Sequence, residues 1–244
     1  MKAFFSARLQ MLSLTMALVP GASALAQQYP VKPVTVIIPY AAGGSTEADT
    51  RPYTQKLTEA LGRPFLIDYK PGAGTTIGAA YVARAAPDGY TLLSTTSTLA
   101  VTQVLFRNLS YDAATSLAPI SLMYSRTLLL VTNAASVPAG NWPEYVAYVR
   151  ANPGKVNVAT VGAGGSYHIG SAWLHGEFKG EVTHVHYKGS APLLIDLLAG
   201  RSDATISSVF QAMPHLKSGK LRALAALGRT RTPLLPDLIP FLIQ

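Results

Sequence analysis

The sequence contains no cysteine and few charged residues. Among its 244 residues are 20 Lys and Arg and 12 Asp and Glu, so only 13% are charged. The absence of cysteine excludes disulfide scaffolds, thiolate metal sites and thiol nucleophiles. The formal net charge is +8, but the basic residues are scattered, so we expect no nucleic-acid partner. With 49% hydrophobic residues the chain can bury a core, which excludes a disordered protein.

Long apolar runs are absent after the N-terminus. There, Lys2 and Arg8 precede an apolar stretch over residues 9–19, which is followed by helix breakers and the small residues Ala24 and Ala26. This order predicts a signal peptide over residues 1–26, cleaved before Gln27. The stretch is too short to span about 30 Å of hydrocarbon. We therefore expect a soluble protein that is exported to an oxidising compartment.

Apolar runs alternate with helical patterns along the rest of the chain. Strands are predicted at 33–39, 65–67, 90–93, 128–132, 156–161 and 182–187, with helices at 47–61, 77–86, 143–151, 166–178 and 192–199. Repeated βα units predict an α/β fold with parallel sheets and helices on both faces. The length fits two such lobes, which we place at residues 27–128 and 129–227.

One local pattern occurs twice. Gly43-Gly44-Ser45 and Gly164-Gly165-Ser166 each follow a predicted strand and precede a predicted helix. Glycines let the backbone turn sharply and come close to a ligand, and a helix N-terminus favours an anion. Because ligands bind at the carboxyl ends of strands in open α/β sheets, both loops predict one shared cleft for a small anion, most simply a carboxylate. A Gly/Ser turn that only starts a helix remains the alternative.

Two other residue sets suggest different functions. Ser166 and His168, with Asp196 downstream, are the residue types of a serine hydrolase triad, although no G-x-S-x-G motif is present. A metal-binding protein is the other alternative, but no zinc-site spacing is present. It would use His168, His175, His184 and His186. No cofactor is predicted, because the glycine strings lack nucleotide-binding spacing.

Several strings, in order, resemble one known family. They are residues 29–33, 39–44, 71–74, 77–78, 87–93, 162–168, 187–192, 219–224 and 235–237. The most specific are PDGYTLL at 87–93 and GAGGSYH at 162–168. Together they resemble the substrate-binding receptors of tripartite tricarboxylate transporters, the Bug or TctC-like proteins of bacteria.

The resemblance implies a periplasmic-binding-protein type II fold, in which two α/β lobes close on a small carboxylate. It implies a monomeric receptor without enzymatic activity that delivers a di- or tricarboxylate to the permease subunits of a membrane transporter. The candidate ligand-binding residues are Tyr40, Ala42, Gly43, Gly44, Ser45, Thr46, Glu47, Thr96, Gly162, Gly164, Ser166, His168, Tyr187 and Ser207.

The sequence departs from the family pattern at three places. Glu47 stands where relatives usually have aspartate, and His186 stands where they have proline. Relatives also continue beyond the Leu-Pro-Asp string at 235–237 and return to the first lobe. We therefore expect residues 228–244 to start that return in a truncated form. An uncovered apolar face on the first lobe and low stability or inactivity would follow.

Overall fold

The computed structural model describes residues 29–228 and 231–241. The expected signal peptide at 1–26 lies outside the described residues. The chain divides into two compact units, residues 1–31 and 32–244, and the fold described below belongs to the second. Within the described ranges, no helix is both long enough and apolar enough to cross a membrane.

The first lobe is built on a three-stranded parallel sheet in the order β2-β1-β3. Its strands are β1 (Val34–Ile38), β2 (Phe65–Tyr69) and β3 (Thr91–Leu93), and its helices are α1 (Ser45–Leu61), α2 (Thr76–Ala83) and α3 (Thr98–Leu105). The central strand β1 is the β-branched run predicted from the sequence, and Val34, Ile37 and Ile38 are fully buried in it. The βαβ order of this lobe was predicted correctly.

Helix α1 forms as predicted, but it buries a polar face. The apolar residues that indicate this helix in the sequence are each about 40% exposed: Tyr53, Leu57 and Leu61. Thr50 and Thr54 are buried instead. Thr50 Oγ1 donates to the carbonyl of Thr46 at 2.7 Å, so its hydroxyl is satisfied inside the helix. Pro52 lies within this helix.

The second lobe contains a six-stranded sheet in the order β6-β5-β7-β4-β8-β9. Its strands are β4 (Leu128–Asn133), β5 (Asn157–Val161), β6 (Thr183–Tyr187), β7 (Ala204–Ser208), β8 (Leu221–Leu227) and β9 (Pro240–Phe241). Its helices are α4 (Trp142–Ala151), α5 (Ser166–Glu177), α6 (Ser190–Leu198) and α7 (Val209–Lys217). Strand β4 runs antiparallel to both β7 and β8. The sheet is therefore mixed rather than parallel, because β4 enters from the first lobe and not through a βα crossover.

The core of the second lobe lies on both faces of this sheet. Leu129 and Leu130 on β4 are fully buried and belong to different apolar clusters. Successive strand residues point to opposite faces, so each face is covered. Leu130 packs with Ile206, Tyr145 and other buried residues. A chain without cysteine is stabilised here by packing on two sides.

Residues 231–241 pack against the second lobe, whereas we expected 228–244 to start a return to the first. Strand β9 pairs in parallel with β8. The ring of Phe241 contacts that of Trp142 with centroids 4.5 Å apart. Leu235 and Leu238 pack on the apolar cluster around Leu129. These apolar contacts account for the placement of this segment.

Candidate functional site

A cavity lies between the loop that follows β1 and the loop that follows β5. It is lined by Tyr40, Ala41, Gly44, Ser45, Thr46, Glu47, Thr96, Thr98, Arg126, Val161, Ser166, Tyr167 and Ser190. The space between these residues is about 360 Å³, part of it open to solvent.

The structure places some of the predicted site residues in this cavity and others beside it. The candidates that line it are Tyr40, Gly44, Ser45, Thr46, Glu47, Thr96 and Ser166. Candidates outside the lining are Ala42, Gly43, Gly162, Gly164, His168, Tyr187 and Ser207. The lining also includes Ala41, Tyr167 and Ser190, which lie in loops that the sequence had indicated, and Thr98, Arg126 and Val161, which the sequence argument did not include. A ligand-binding role for any of these residues stays a prediction.

Two helix N-termini point to the cavity from opposite lobes. Helix α1 begins after Gly44 and helix α5 after Gly165, both in extended conformation at the N-cap. The N–H of Ser45 donates to Ser190 Oγ at 2.9 Å, and the N–H of Ser166 donates to Thr98 Oγ1 at 3.3 Å. Each helix therefore gives its first N–H to a hydroxyl of the other lobe. The positive ends of both helix dipoles lie at the same cavity.

A chain of hydroxyl groups forms one wall of the cavity. The hydroxyls of Tyr40 and Thr96 lie 2.8 Å apart, and Thr96 donates to Thr98 Oγ1 at 3.0 Å. Thr98 in turn accepts the N–H of Ser166. Hydroxyl groups can donate or accept, so this wall can reorient its protons toward an anion.

The backbones of the two lobes also touch directly. The N–H of Ala41 donates to the carbonyl of Lys188 at 3.0 Å. At a second place, a Cβ on Gly162 would lie 3.2 Å from Gly74 Cα. Both contacts involve loops that flank the cavity, so the lobes are held together beside it.

Glu47 is the acidic side chain that lines the cavity. Its carboxylate accepts the N–H of Gly43 at 2.6 Å and forms an ion pair with Arg51. Burial alone would raise the pKa of Glu47, but the hydrogen bonds from Arg51 and Gly43 outweigh it and lower the pKa. The group is therefore ionised at neutral pH and its charge is paired, which reduces its repulsion of an anionic ligand.

Arg126 brings a cation to the cavity. Its Nη1 donates to Asp49 Oδ2 at 2.5 Å, and its guanidinium lies 5.3 Å from the ring centre of Tyr124. Burial raises the pKa of Asp49, and the positive charge of Arg126 opposes that rise. Motif analysis missed Arg126 because it lies in an irregular segment before β4. The sequence does distinguish this residue, because no other basic residue occurs between Arg107 and Arg150.

His168 forms a hydrogen bond with the glycine-rich loop that precedes α5. Its Nδ1 accepts the N–H of Gly164 at 2.9 Å. Its ring lies 4.7 Å from that of His184 and 4.8 Å from that of His186, measured between centroids. His184 Nε2 is 2.9 Å from Ser171 Oγ. These imidazoles therefore form a packed cluster behind the loop, defined here as the histidine cluster of His168, His175, His184 and His186.

The hydrolase and metal hypotheses find little support in this geometry. Asp196 bonds to the Tyr187 hydroxyl at 2.9 Å and to Arg201 at 2.7 Å, while His168 Nδ1 is occupied by the loop. Ser166, His168 and Asp196 thus have separate partners instead of forming a triad. In the part of the chain that the structure describes, no group of three His, Asp or Glu side chains is arranged to hold a metal ion.

The histidine cluster makes stability depend on pH. Burial, and then the neighbouring imidazoles, lower the pKa of His184 from 6.5 to about 4, and burial also lowers the pKa of His168 and His175. As the pH falls, the unfolded chain therefore becomes protonated before the folded chain does. The free energy of unfolding is then highest above pH 6.5 and decreases as the pH drops toward 4. The free energy of unfolding, measured by denaturant titration at pH 7.5, 6.5 and 5.5, should show this decrease. These pH values lie above the range in which most carboxylates titrate.

Replacing His184 by Gln should reduce that slope, because Gln does not titrate. His215→Gln, at the end of α7 and outside the cluster, is the matched control and should keep the wild-type slope. A free energy of unfolding that is constant or rises between pH 6.5 and 5.5 would contradict this account.

Comparison with known proteins identifies the family. A family model described as the tripartite tricarboxylate transporter family receptor matches residues 50–242. The chain belongs to this family. BugT of Bordetella pertussis is 34% identical over 213 residues, which cover 86% of this chain and 65% of BugT. A UPF0065 protein in the tcbD-tcbE intergenic region of Pseudomonas sp. (strain P51) is 32% identical, over 86% of this chain and 62% of that protein. The chain spans about two thirds of the length of these curated relatives.

Solved structures of the family have the same fold. The periplasmic binding protein BugD matches with a TM-score of 0.83 at 32% identity, over 87% of this chain and 71% of BugD. Rpa4515 of R. palustris, solved with adipate, also matches with a TM-score of 0.83 at 32% identity, over 87% of this chain and 71% of Rpa4515. MatC from Rhodopseudomonas palustris, with bound malate, has a TM-score of 0.79 at 31% identity, over 87% and 72%. The two-lobed binding-protein fold expected from the sequence is confirmed, and these proteins are receptors rather than enzymes.

Proposed function

We propose that this chain binds a small di- or tricarboxylate between its two lobes and presents it to the permease of a tripartite tricarboxylate transporter. The observation that carries the proposal is the convergence of the N-termini of α1 and α5 on one cavity. A carboxylate there is stabilised by the positive ends of two helix dipoles. The hydroxyl wall of Tyr40, Thr96 and Thr98 supplies further donors.

The ligands of related proteins support the same class. Structures of the family relatives Rpa4515 and MatC were solved with adipate and malate. Both are small carboxylic acids, the class of ligand that the N-termini of two helices favour. The mechanism we propose is capture without chemistry: the ligand bridges the two lobes and stabilises the state in which they are in contact.

The location and partners form part of the proposal. The signal-peptide pattern at residues 1–26 and the family's membership among periplasmic binding proteins favour a periplasmic receptor. We propose that it acts as a monomer and hands its ligand to the permease subunits. No catalytic step and no cofactor enters this function.

A panel of carboxylates tests the proposal on the purified chain. Thermal unfolding is followed with malate, adipate, succinate, citrate and acetate, and with the corresponding amides as uncharged controls. A ligand at 100 times its Kd should add about 2.7 kcal/mol to the free energy of unfolding. We expect stabilisation by at least one acid of the panel and none by its amide. Stabilisation by no acid, or equal stabilisation by acid and amide, would contradict the proposed function.

A further inference from the structure

Arg126 is a largely buried cation in the cavity wall. Its side chain is 20% exposed, and that of its ion-pair partner Asp49 is 23% exposed. Asp49 lies on α1 in the first lobe, whereas Arg126 lies two residues before β4 of the second lobe. A buried charge is costly unless it is paired and hydrogen-bonded. The hydrogen bonds of this guanidinium in the cavity wall therefore have to be accounted for.

The guanidinium has more donors than the protein satisfies. Arginine carries five N–H donors in a planar fork. Among the described residues, Asp49 is the acceptor that Arg126 reaches, through Nη1 alone. The ring of Tyr124 covers one face of the guanidinium. The remaining donors belong to a side chain that lines the cavity, so an acceptor placed there would complete them.

Tyr167 supplies a second unsatisfied group to the same cavity. The residue is 4% exposed and lines the cavity beside Ser166. Its hydroxyl lies near Ser45 and the backbone of Ser208 but makes no hydrogen bond of normal geometry. A buried hydroxyl without a hydrogen-bond partner destabilises the folded state. The cavity thus contains two kinds of buried donor, a hydroxyl near the α5 N-terminus and a guanidinium, that a polar ligand could satisfy.

We infer that Arg126 binds a second carboxylate of the ligand and that Asp49 positions it for this role. The inference rests on the proposed function, in which the first carboxylate lies at the helix N-termini. Arginine can pair with two carboxylates at once, because the N–H groups on Nη1 and those on the rest of the guanidinium point in different directions. Asp49 fixes one edge, and the other remains for the ligand. Arg126 therefore makes the receptor selective for dicarboxylates over monocarboxylates.

The selectivity of the wild-type chain provides the first test. Kd values are measured by calorimetry for succinate and adipate and for the monoamide of each, which keeps one carboxylate and the chain length. A charge-assisted contact should favour the better diacid over its monoamide by about 10- to 100-fold. Binding of neither compound would overturn the proposed function itself. Equal binding of diacid and monoamide would overturn only the role of Arg126.

Two substitutions then separate ligand binding from a structural ion pair. Arg126→Gln should weaken the binding of the diacid by about 10- to 100-fold and change the affinity for the monoamide by less than about 3-fold. Asp49→Asn should leave diacid affinity unchanged or increase it, since Asn still accepts from Nη1 while its charge no longer competes for the guanidinium. Equal losses in both variants, or equal losses for both ligands, would show a structural pair and overturn the inference.

The matched control is Arg201→Gln. It removes another arginine–carboxylate pair, formed with Asp196 at 2.7 Å in the second lobe and outside the cavity lining. We expect its diacid and monoamide affinities to equal those of the wild type. A loss of selectivity in this control would mean that the effect at Arg126 reflects net charge rather than contact.

Discussion

Gly165→Ala is expected to weaken carboxylate binding by about 100-fold and to lower the free energy of unfolding by about 3 kcal/mol. A Cβ on Gly165 would lie 2.0 Å from the carbonyl oxygen of Val161, an atom of the backbone that cannot rotate away. The turn between β5 and α5 would have to open by about 1 Å, which moves the helix N-terminus away from the ligand. Displacements of that size cost about 100-fold in well-organised sites.

Gly176→Ala is the control for this substitution. Gly176 lies in the last turn of the same helix, and a Cβ there meets nothing within 4 Å. Alanine is preferred over glycine in helices by about 0.5–1 kcal/mol, so this variant should be slightly more stable and bind normally. The affinity is measured by calorimetry and the stability by denaturant titration. Normal ligand binding by the Gly165 variant would refute the role of the α5 N-terminus.

Gly189→Ala is expected to weaken ligand binding by about 10- to 100-fold while leaving the ligand-free protein almost as stable as the wild type. Its Cβ would lie 2.9 Å from the backbone nitrogen and from the Cβ of Ala41. The two lobes would separate there, and the hydrogen bonds from Ala41 to Lys188 and from Ser45 to Ser190 would lengthen. The ligand would then provide the energy needed to bring strained surfaces together.

Gly140→Ala serves as the control for the Gly189 variant. It places a methyl group in another loop of the second lobe, where the nearest atom is the flexible Glu144 carboxylate at 3.4 Å. Its affinity should match that of the wild type. An unchanged affinity in Gly189→Ala, or a fall in ligand-free stability equal to the loss of binding energy, would exclude a specific effect on the contact between lobes.

The sequence predicts those parts of the fold that depend on local patterns. Strand β1 and the two glycine-serine loops are visible as short strings, because a strand that ends in glycine before a helix is a local event. The face of α1 is different. Tyr53, Leu57 and Leu61 indicate the helical period, yet Thr50 and Thr54 are buried, because a threonine hydroxyl can bond to the preceding turn and then pack as an apolar group.

Long-range features could not be read from the same strings. The direction of β4 depends on where the chain crosses from the first lobe, which no local pattern encodes. Arg126 reaches the cavity for the same reason, since its position follows from the path of an irregular segment. His168, a predicted ligand-binding residue, lies outside the cavity lining and accepts the N–H of Gly164, and its contact with a ligand stays a prediction. The spacing of residues in the sequence indicates the loop but not which of its side chains line the cavity.

Several residues that line the cavity also hold the two lobes together. Ser190 accepts the N–H of Ser45, and Thr98 accepts the N–H of Ser166. Arg126 lines the cavity too and pairs with Asp49 of the other lobe. The chemistry that the cavity presents and the contact between the lobes are therefore encoded by shared positions. A substitution that changes ligand preference at one of these positions also changes how readily the lobes come together, so ligand preference and capture cannot evolve independently there.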